Sequence, residues 1–201
     1  MTVGNVLIIL PNADAQVRNQ PVFKASLEDH QDHATTQANA ADYHHHQGIV
    51  LQSYGSFQKA IDHFSKAVAL APDQAAYLFS RGLARADLGN WRMAIQDYTL
   101  ALSLEPTLKA AYYNRGLAWF ALQEQTLAVQ DFTAALKLEP SFVAAYYHRG
   151  LAYYDQGQEH LARQDYEQSR QLSPTLTLIA DYYDQGFVRP LVGGDELAEP
   201  N

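Results

Sequence analysis

The chain has 201 residues, a formal net charge of −8 and no cysteine. An acidic chain repels phosphate backbones and anionic lipid surfaces, so we expect neither nucleic acid nor a membrane surface as a partner. The absence of cysteine excludes disulfides, thiolate metal ligands and a cysteine nucleophile. The apolar run at residues 6–10 is too short to cross a bilayer and lacks the flanks of a secretory signal. We therefore expect a cytoplasmic protein, or one peripheral to a membrane complex.

Residues 1–38 form an N-terminal arm that does not share the pattern of the rest of the chain. Residues 3–10 are predicted to be a short strand or extended segment that ends at Pro11. Residues 24–38 are polar and have little apolar periodicity, so they predict either a loose helix or a linker. An exposed apolar strand needs cover. It can pack on its own chain, either on the first helix pair or in a groove of the repeat domain, which we favour, or pair with a second copy to give a homodimer.

From residue 41 onward, four columns of residues recur 34 positions apart. The columns are Gly48, Gly82, Gly116 and Gly150; Ala60, Ala94, Ala128 and Ala162; Phe64, Tyr98, Phe132 and Tyr166; and Pro72, Pro106, Pro140 and Pro174. A fixed period of this length indicates stacked structural repeats. We assign four repeats at residues 41–74, 75–108, 109–142 and 143–176, within a repeat domain at 39–186.

Each repeat predicts two helices, A and B, which in the third repeat span residues 109–122 and 125–138. Gly116 and Ala128 are small, which allows the two backbones to approach closely. The proline after helix B ends it, because proline cannot continue the helical hydrogen bonds. The position after each proline, and the matching position 39 in the first repeat, holds a residue of the N-cap type. A helix is therefore predicted to start after each of Asn39, Asp73, Thr107, Ser141 and Thr175.

The last predicted helix, at residues 176–185, departs from the repeat. Asp184 occupies its glycine position, and Gly186 and Pro190 prevent a following B helix. We interpret it as a helix that caps the fourth repeat, as stacked repeats require at their ends. Residues 187–201 are acidic and are predicted to be disordered.

Residues 41 to about 185 resemble the tetratricopeptide repeat family. The resemblance is carried by Tyr-Tyr-Asn-Arg-Gly-Leu-Ala at 112–118 and by Ala128, Phe132, Ala135 and Pro140, with close copies in repeats two and four. The pattern is similar to that of repeats common in bacterial, notably cyanobacterial, chains. The resemblance implies an all-α, right-handed superhelical solenoid of four antiparallel helix pairs plus a C-terminal capping helix. It also implies a concave groove lined by the A helices and a protein-interaction module without enzymatic activity.

Two columns depart from the family pattern together. Just before the glycine, where the family often has leucine, repeats two to four have arginine, and in helix B they have aspartate; the pairs are Arg81 with Asp97, Arg115 with Asp131 and Arg149 with Asp165. Repeat one has Gln47 and His63 instead. We predict an ion pair within each of the three repeats. The alternative is that the arginines bind an acidic ligand.

The implied groove supplies the candidate partner-binding residues. They are Phe79, Leu83, Asp87, Tyr113, Leu117, Phe120, Tyr147, Leu151, Tyr154 and Asp155. Family members that clamp a C-terminal carboxylate use lysine and arginine in the groove, and this chain has neither at the matching positions. The resemblance therefore favours an apolar or basic peptide. Some of the tyrosines also serve packing in the family.

We find no catalytic triad, phosphate-binding loop or paired carboxylates, and predict no catalytic residue, no metal and no cofactor. His44, His45 and His46 point about 100° apart on a helix, so they cannot converge on one ion, and we interpret them as solvated. The predicted function is a scaffold or adaptor, such as an assembly factor, that binds another protein or peptide. The alternatives are a structural homo-oligomer, whose groove or N-terminal strand is filled by another copy, and a regulatory subunit of a larger complex.

Overall fold

The computed structural model describes residues 21–173, and the side chains of residue 36 and residues 38–173. This range holds eight α-helices and no strand. They are α1 (Pro21–Ser53), α2 (Phe57–Leu70), α3 (Ala75–Asp87), α4 (Trp91–Leu104), α5 (Lys109–Ala121), α6 (Gln125–Leu138), α7 (Val143–Asp155) and α8 (Glu159–Leu172). The predicted strand at 3–10, Pro174, the capping helix at 176–185 and the tail at 187–201 lie outside the described residues.

The helices pack as consecutive pairs. Each A helix (α1, α3, α5, α7) lies against the B helix that follows it, and each B helix also contacts the next A helix. Successive A helices touch each other more lightly. Each repeat therefore contacts only its neighbours, which is the arrangement of a solenoid. The predicted all-α superhelical fold of four helix pairs is confirmed.

The predicted N-caps are wrong by one position. Helices α3, α5 and α7 begin two residues after the predicted caps, and their N-cap residues are Gln74, Leu108 and Phe142, none of which makes a side-chain cap hydrogen bond. The reason is a turn around each proline. The amide of Gln74, for example, donates to the carbonyl of Ala71, which places Pro72 and Asp73 at the centre of a four-residue turn. Asn39 starts no helix, because it lies inside α1.

Each helix A glycine faces an aromatic ring of its own helix B. A Cβ built on Gly116 would lie 2.7 Å from Cε1 of Phe132, and one built on Gly82 would lie 2.6 Å from Cε1 of Tyr98. Real Cβ contacts essentially never come this close. The glycine column therefore makes room for a ring, and not only for a neighbouring backbone as the sequence suggested.

The predicted ion pairs are present in repeats two to four. Arg115 donates from Nε to Asp131 Oδ2 and from Nη2 to Asp131 Oδ1, both at 2.7 Å. Arg149 binds Asp165 in the same way, at 2.7 Å for both bonds. The aspartates are buried, with Asp131 and Asp165 each 5% exposed. Two parallel bonds to a buried carboxylate are the strongest form of this interaction.

The arginines also join neighbouring repeats. Nη1 of Arg115 donates to Thr99 in the preceding helix B at 3.0 Å, and Arg149 donates to Thr133 at 3.0 Å. In repeat two, Nη1 of Arg85 adds a further bond to Oδ2 of Asp97 at 2.8 Å, while its buried Nε has no hydrogen-bond partner. Each of these guanidinium groups is bound to protein acceptors and is not directed at an acidic ligand.

Replacing Gly116 by alanine tests the ring contact. Alanine should favour a helix by about 1 kcal/mol, but the clash with Phe132 should cost about 1–3 kcal/mol. We expect a net loss in the free energy of unfolding, measured by urea denaturation. The double variant Gly116→Ala, Phe132→Leu should relieve the clash at the price of some buried area. A Gly116→Ala variant more stable than the parent would contradict the claim that the Phe132 ring requires glycine at this position.

A double-mutant cycle tests the ion pair. Asp131→Leu leaves Arg115 partly buried without its carboxylate, and should lower the free energy of unfolding by about 2–4 kcal/mol. The double variant Arg115→Leu, Asp131→Leu should lose less than Asp131→Leu alone, because no charge is left unpaired. Additive losses in the cycle would contradict a direct interaction.

Candidate functional site

The four A helices lie side by side, and side-chain hydrogen bonds bridge α1 to α3 and α5 to α7. Nε2 of Gln52 on α1 donates to Oδ2 of Asp87 on α3 at 2.7 Å. His45 Nε2 lies 2.9 Å from the Ser80 hydroxyl. These bridges join residues 35 positions apart, one more than the repeat period, so each residue lies beside the one that follows its match in the next repeat. We call the surface formed there the A-helix face; its predicted members are the ten candidate partner-binding residues.

Two of the ten candidates lie in the core and not on this surface. Phe120 is 7% exposed and Leu151 is 6% exposed. Both pack with Ala128, Phe132 and Ala152 in the space between repeats three and four. The pattern of one helix cannot show this, because the neighbouring repeat is what covers the two side chains. We correct the assignment: Phe120 and Leu151 support the A-helix face from beneath.

Three of the aromatic candidates, Phe79, Tyr113 and Tyr147, are half-buried and have a packing role. Tyr113 lies with its ring centroid 5.8 Å from that of Phe132, and Tyr147 lies 6.0 Å from Tyr166. Phe79 repeats the contact with the ring of helix α4 in repeat two. Each A-helix ring thus rests on the B-helix ring that faces the glycine. Leu83 and Leu117 are also half-buried. They follow Phe79 and Tyr113, respectively, by four positions along the same helix.

The most accessible candidates lie at the C-terminal ends of the A helices. Tyr154 is 56% exposed, and Asp87 and Asp155 are also exposed. Ile49, which matches Leu83 in repeat one, is 46% exposed. The A-helix face therefore has an apolar centre, accessible apolar side chains at both ends and two exposed carboxylates.

No cation balances these carboxylates on the A-helix face, as far as side chains are described. Arg81, Arg115 and Arg149 each bind a buried aspartate of the following helix B. Arg85 binds the same aspartate as Arg81. Lys109 at the start of α5 pairs with Glu139 of the turn after α6. The electrostatic character of the A-helix face is therefore acidic.

The three consecutive histidines have three separate partners. His44 Nδ1 lies 3.3 Å from His63 Nδ1, and His46 Nδ1 lies 2.8 Å from the Asp42 carbonyl. His45 stacks on Tyr77 with 4.7 Å between ring centroids, and burial lowers its pKa. The interpretation as solvated side chains is therefore wrong for His45. Among the side chains that the structure describes, those of residue 36 and residues 38–173, no group of three metal-ligating residues occurs.

His148 is a residue that the sequence analysis missed. Its Nδ1 lies 2.9 Å from the Ala144 carbonyl and 3.1 Å from the Tyr113 hydroxyl. A carbonyl only accepts, so Nδ1 carries the proton. Burial lowers the pKa of His148 and raises the pKa of Tyr113 to about 12. The matching Asn114 makes the same bond to the Ala110 carbonyl at 2.8 Å, so this position of helix A bonds back to its own helix in both repeats.

None of the helices described is long and apolar enough to span a membrane.

Comparison with family models gives three matches. A tetratricopeptide repeat model matches residues 47–107, a TPR repeat model matches residues 119–157, and a further tetratricopeptide repeat model matches residues 143–176. Together they cover most of the repeat domain assigned from the sequence. No curated protein sequence matches this chain significantly.

Solved structures give the same fold. A crystal structure of MamA is 20% identical, covers 85% of this chain and 99% of its own, and superposes with a TM-score of 0.66. The Arabidopsis OM64 TPR domain is 26% identical, with 59% of this chain and 98% of its own covered and a TM-score of 0.58. The first TPR of Spaghetti (RPAP3), bound to the HSP90 peptide SRMEEVD, is 27% identical, with 60% and 95% covered and a TM-score of 0.59.

Acid should destabilise the fold, in part through His148. Its pKa lies near 6.5 when unfolded and lower when folded, so the unfolded chain binds more protons below pH 6.5 and stability falls there. His148→Asn keeps the bond seen at Asn114 and cannot titrate, so it should flatten the fall in unfolding free energy between pH 7 and pH 5. His160→Asn, at an exposed position of α8, is the control and should leave the slope unchanged. An unaltered slope in His148→Asn would refute this role.

Proposed function

Because the chain belongs to the tetratricopeptide repeat family, we propose that it is a protein-interaction scaffold that binds an apolar or basic peptide segment of a partner on the A-helix face. Proteins built from these repeats are typically scaffolds without enzymatic activity. A single continuous face suits one partner segment, as expected of an adaptor or assembly factor.

The observation that carries the proposal is the pairing of carboxylates with accessible apolar side chains. Asp87 and Asp155 lie at matching positions two repeats apart, and Tyr154 is next to Asp155. A ligand with apolar side chains and a lysine or arginine would satisfy both kinds of group. Tyrosine is also among the residues that contribute most to binding when they are centrally placed in an interface.

The peptide bound by RPAP3 provides a contrast. Its sequence, SRMEEVD, contains three acidic residues and one arginine. The A-helix face of this chain presents carboxylates, and its nearby arginines are engaged with buried aspartates. A peptide of that charge would meet like charges here, which disfavours binding. We therefore propose a ligand of the opposite charge on a related fold.

The half-buried rings support the proposal in a second way. Tyr113 and Tyr147 are fixed by contacts with Phe132 and Tyr166, so their exposed edges are already positioned. A face that is ordered before binding loses little conformational entropy when a ligand arrives. We propose that Leu83, Leu117 and these ring edges form the apolar contact surface.

Charge reversal tests the proposal. Two labelled peptides share the same leucine positions, one with lysines and one with glutamates between them, and fluorescence anisotropy gives both affinities. The lysine peptide should bind more tightly. The variant Asp87→Lys, Asp155→Lys should weaken it by about threefold to tenfold, since each exposed ion pair contributes about 0.2–1 kcal/mol.

The matched control is Asp62→Lys, Asp73→Lys. It changes the net charge equally, but these exposed residues lie on α2 and in the turn before α3, away from the A-helix face. The control should change the affinity by less than about twofold. Equal losses of affinity in the two variants would show that only the net charge matters. Tighter binding of the glutamate peptide by the parent chain would contradict the proposed ligand.

A further inference from the structure

The outer side of α1 differs from the matching side of the other A helices. In repeat two, Tyr77 packs against Ala67 and Ala84 packs against Ile61, both on the preceding helix B. In repeat four, Ala152 packs against Phe132 of the preceding helix B. Repeat one has no preceding helix B among the described residues. The side of α1 that would face one is therefore uncovered there.

This uncovered side carries large apolar residues. Tyr43, Val50 and Tyr54 are 60%, 47% and 81% exposed. Tyr43 and Val50 lie seven positions apart on α1, and Tyr54 follows four positions later in the turn after the helix, so the three form one stripe. The position of Tyr54 is exposed in repeat two as well, where Leu88 is 42% exposed, so the missing helix B accounts for the exposure of Tyr43 and Val50. The residues that match Val50 in the later repeats are alanines, and they are at most 1% exposed. We call Tyr43, Val50 and Tyr54 the α1 outer stripe.

The other end of the solenoid has no matching apolar surface on α8. Arg163 stands where α2 has Ile61 and α4 has Ile95, and Arg170 stands where they have Val68 and Leu102. Both arginines are exposed. A second copy that extended the repeat through α8 would have to desolvate these charges against the α1 outer stripe, which is costly. End-to-end joining of copies therefore does not account for the stripe.

We infer that the α1 outer stripe is covered by residues 5–10 of the same chain. This segment, Asn-Val-Leu-Ile-Ile-Leu, has no charge, and the first charged side chain after it is Asp14. An apolar segment on an exposed apolar stripe removes both from water. The contact would take the place of the missing helix B and close the N-terminal end of the solenoid.

The chain length fits this arrangement. From Pro21 to Tyr43, α1 runs about 33 Å at about 1.5 Å per residue. Residues 11–20 span about the same distance when extended. The stripe from Tyr43 to Tyr54 is about 17 Å long, and six extended residues span about 20 Å. Residues 5–10 thus reach the stripe only when the intervening chain runs back along α1.

Tethering favours the chain's own segment over that of another molecule. A segment linked by ten residues has an effective concentration of about a millimolar near its site. A second copy in dilute solution offers the same segment at a far lower concentration. The self-contact should therefore prevail at micromolar protein.

Cysteine cross-linking in the full chain tests the inference. The parent has no cysteine, so only the introduced thiols can react with the cross-linker. Leu7→Cys is combined with Val50→Cys, and treated with a short bismaleimide at about 1 µM protein. Ile8→Cys with Tyr54→Cys repeats the test on the other side of the extended segment. The control combines Leu7→Cys with Gln130→Cys, an exposed position on α6. Val50 and Tyr54 are exposed, so these changes do not disturb the core.

We expect links within one chain in at least one of the two test pairs, roughly tenfold faster than in the control. Reducing electrophoresis, which removes disulfides but leaves the thioether links, and peptide mass spectrometry distinguish links within a chain from links between chains. Links between chains would assign the stripe to a second copy and overturn the inference. Equal rates in the test and control pairs would also overturn it. Neither result bears on peptide binding at the A-helix face, so the two proposals fail separately.

Discussion

The contact between the helix A glycine and the helix B ring sets the geometry of every repeat. It occurs four times, with built Cβ positions 2.5–2.7 Å from the ring carbons. Because the ring fills the glycine's vacant side-chain space, the two helices lie close together. In repeats two to four, an aromatic side chain of helix A then rests on the same ring. The A-helix face is therefore built on this contact and inherits its 34-residue spacing.

The arginine–aspartate pairs restrict how the two packed helices can shift relative to each other. An apolar contact alone tolerates small slips between helices, whereas two parallel hydrogen bonds to a buried carboxylate fix their relative position. The bonds from Arg115 and Arg149 to threonines of the preceding helix B extend this restraint across the repeat boundary. Repeat one lacks the pair and has the contact between His44 and His63 instead. It is thus the repeat held least by charge, and it also carries the exposed α1 outer stripe.

The same side chains that build the A-helix face limit what it can bind. Tyr113 and Tyr147 offer only their edges, because their rings are engaged with helix B. The arginines of the A helices are bound to aspartates in ion pairs. The exposed Asp87 and Asp155 therefore make the charge of the A-helix face negative. The proposed preference for a basic or apolar ligand is in this way tied to the contacts that hold the repeats together.

The sequence by itself determined the repeat, the helix pairs and the ion pairs, because each depends on residues at fixed separations within one repeat. Thus 125–138 was predicted for α6 and observed. Only the tertiary structure decided which side chains are accessible. Phe120 and Leu151 were assigned to the surface and lie in the core, since a neighbouring repeat covers them. His148 and the uncovered side of α1 went unnoticed for the same physical reason: burial depends on what packs against a helix, and its own sequence does not contain that information.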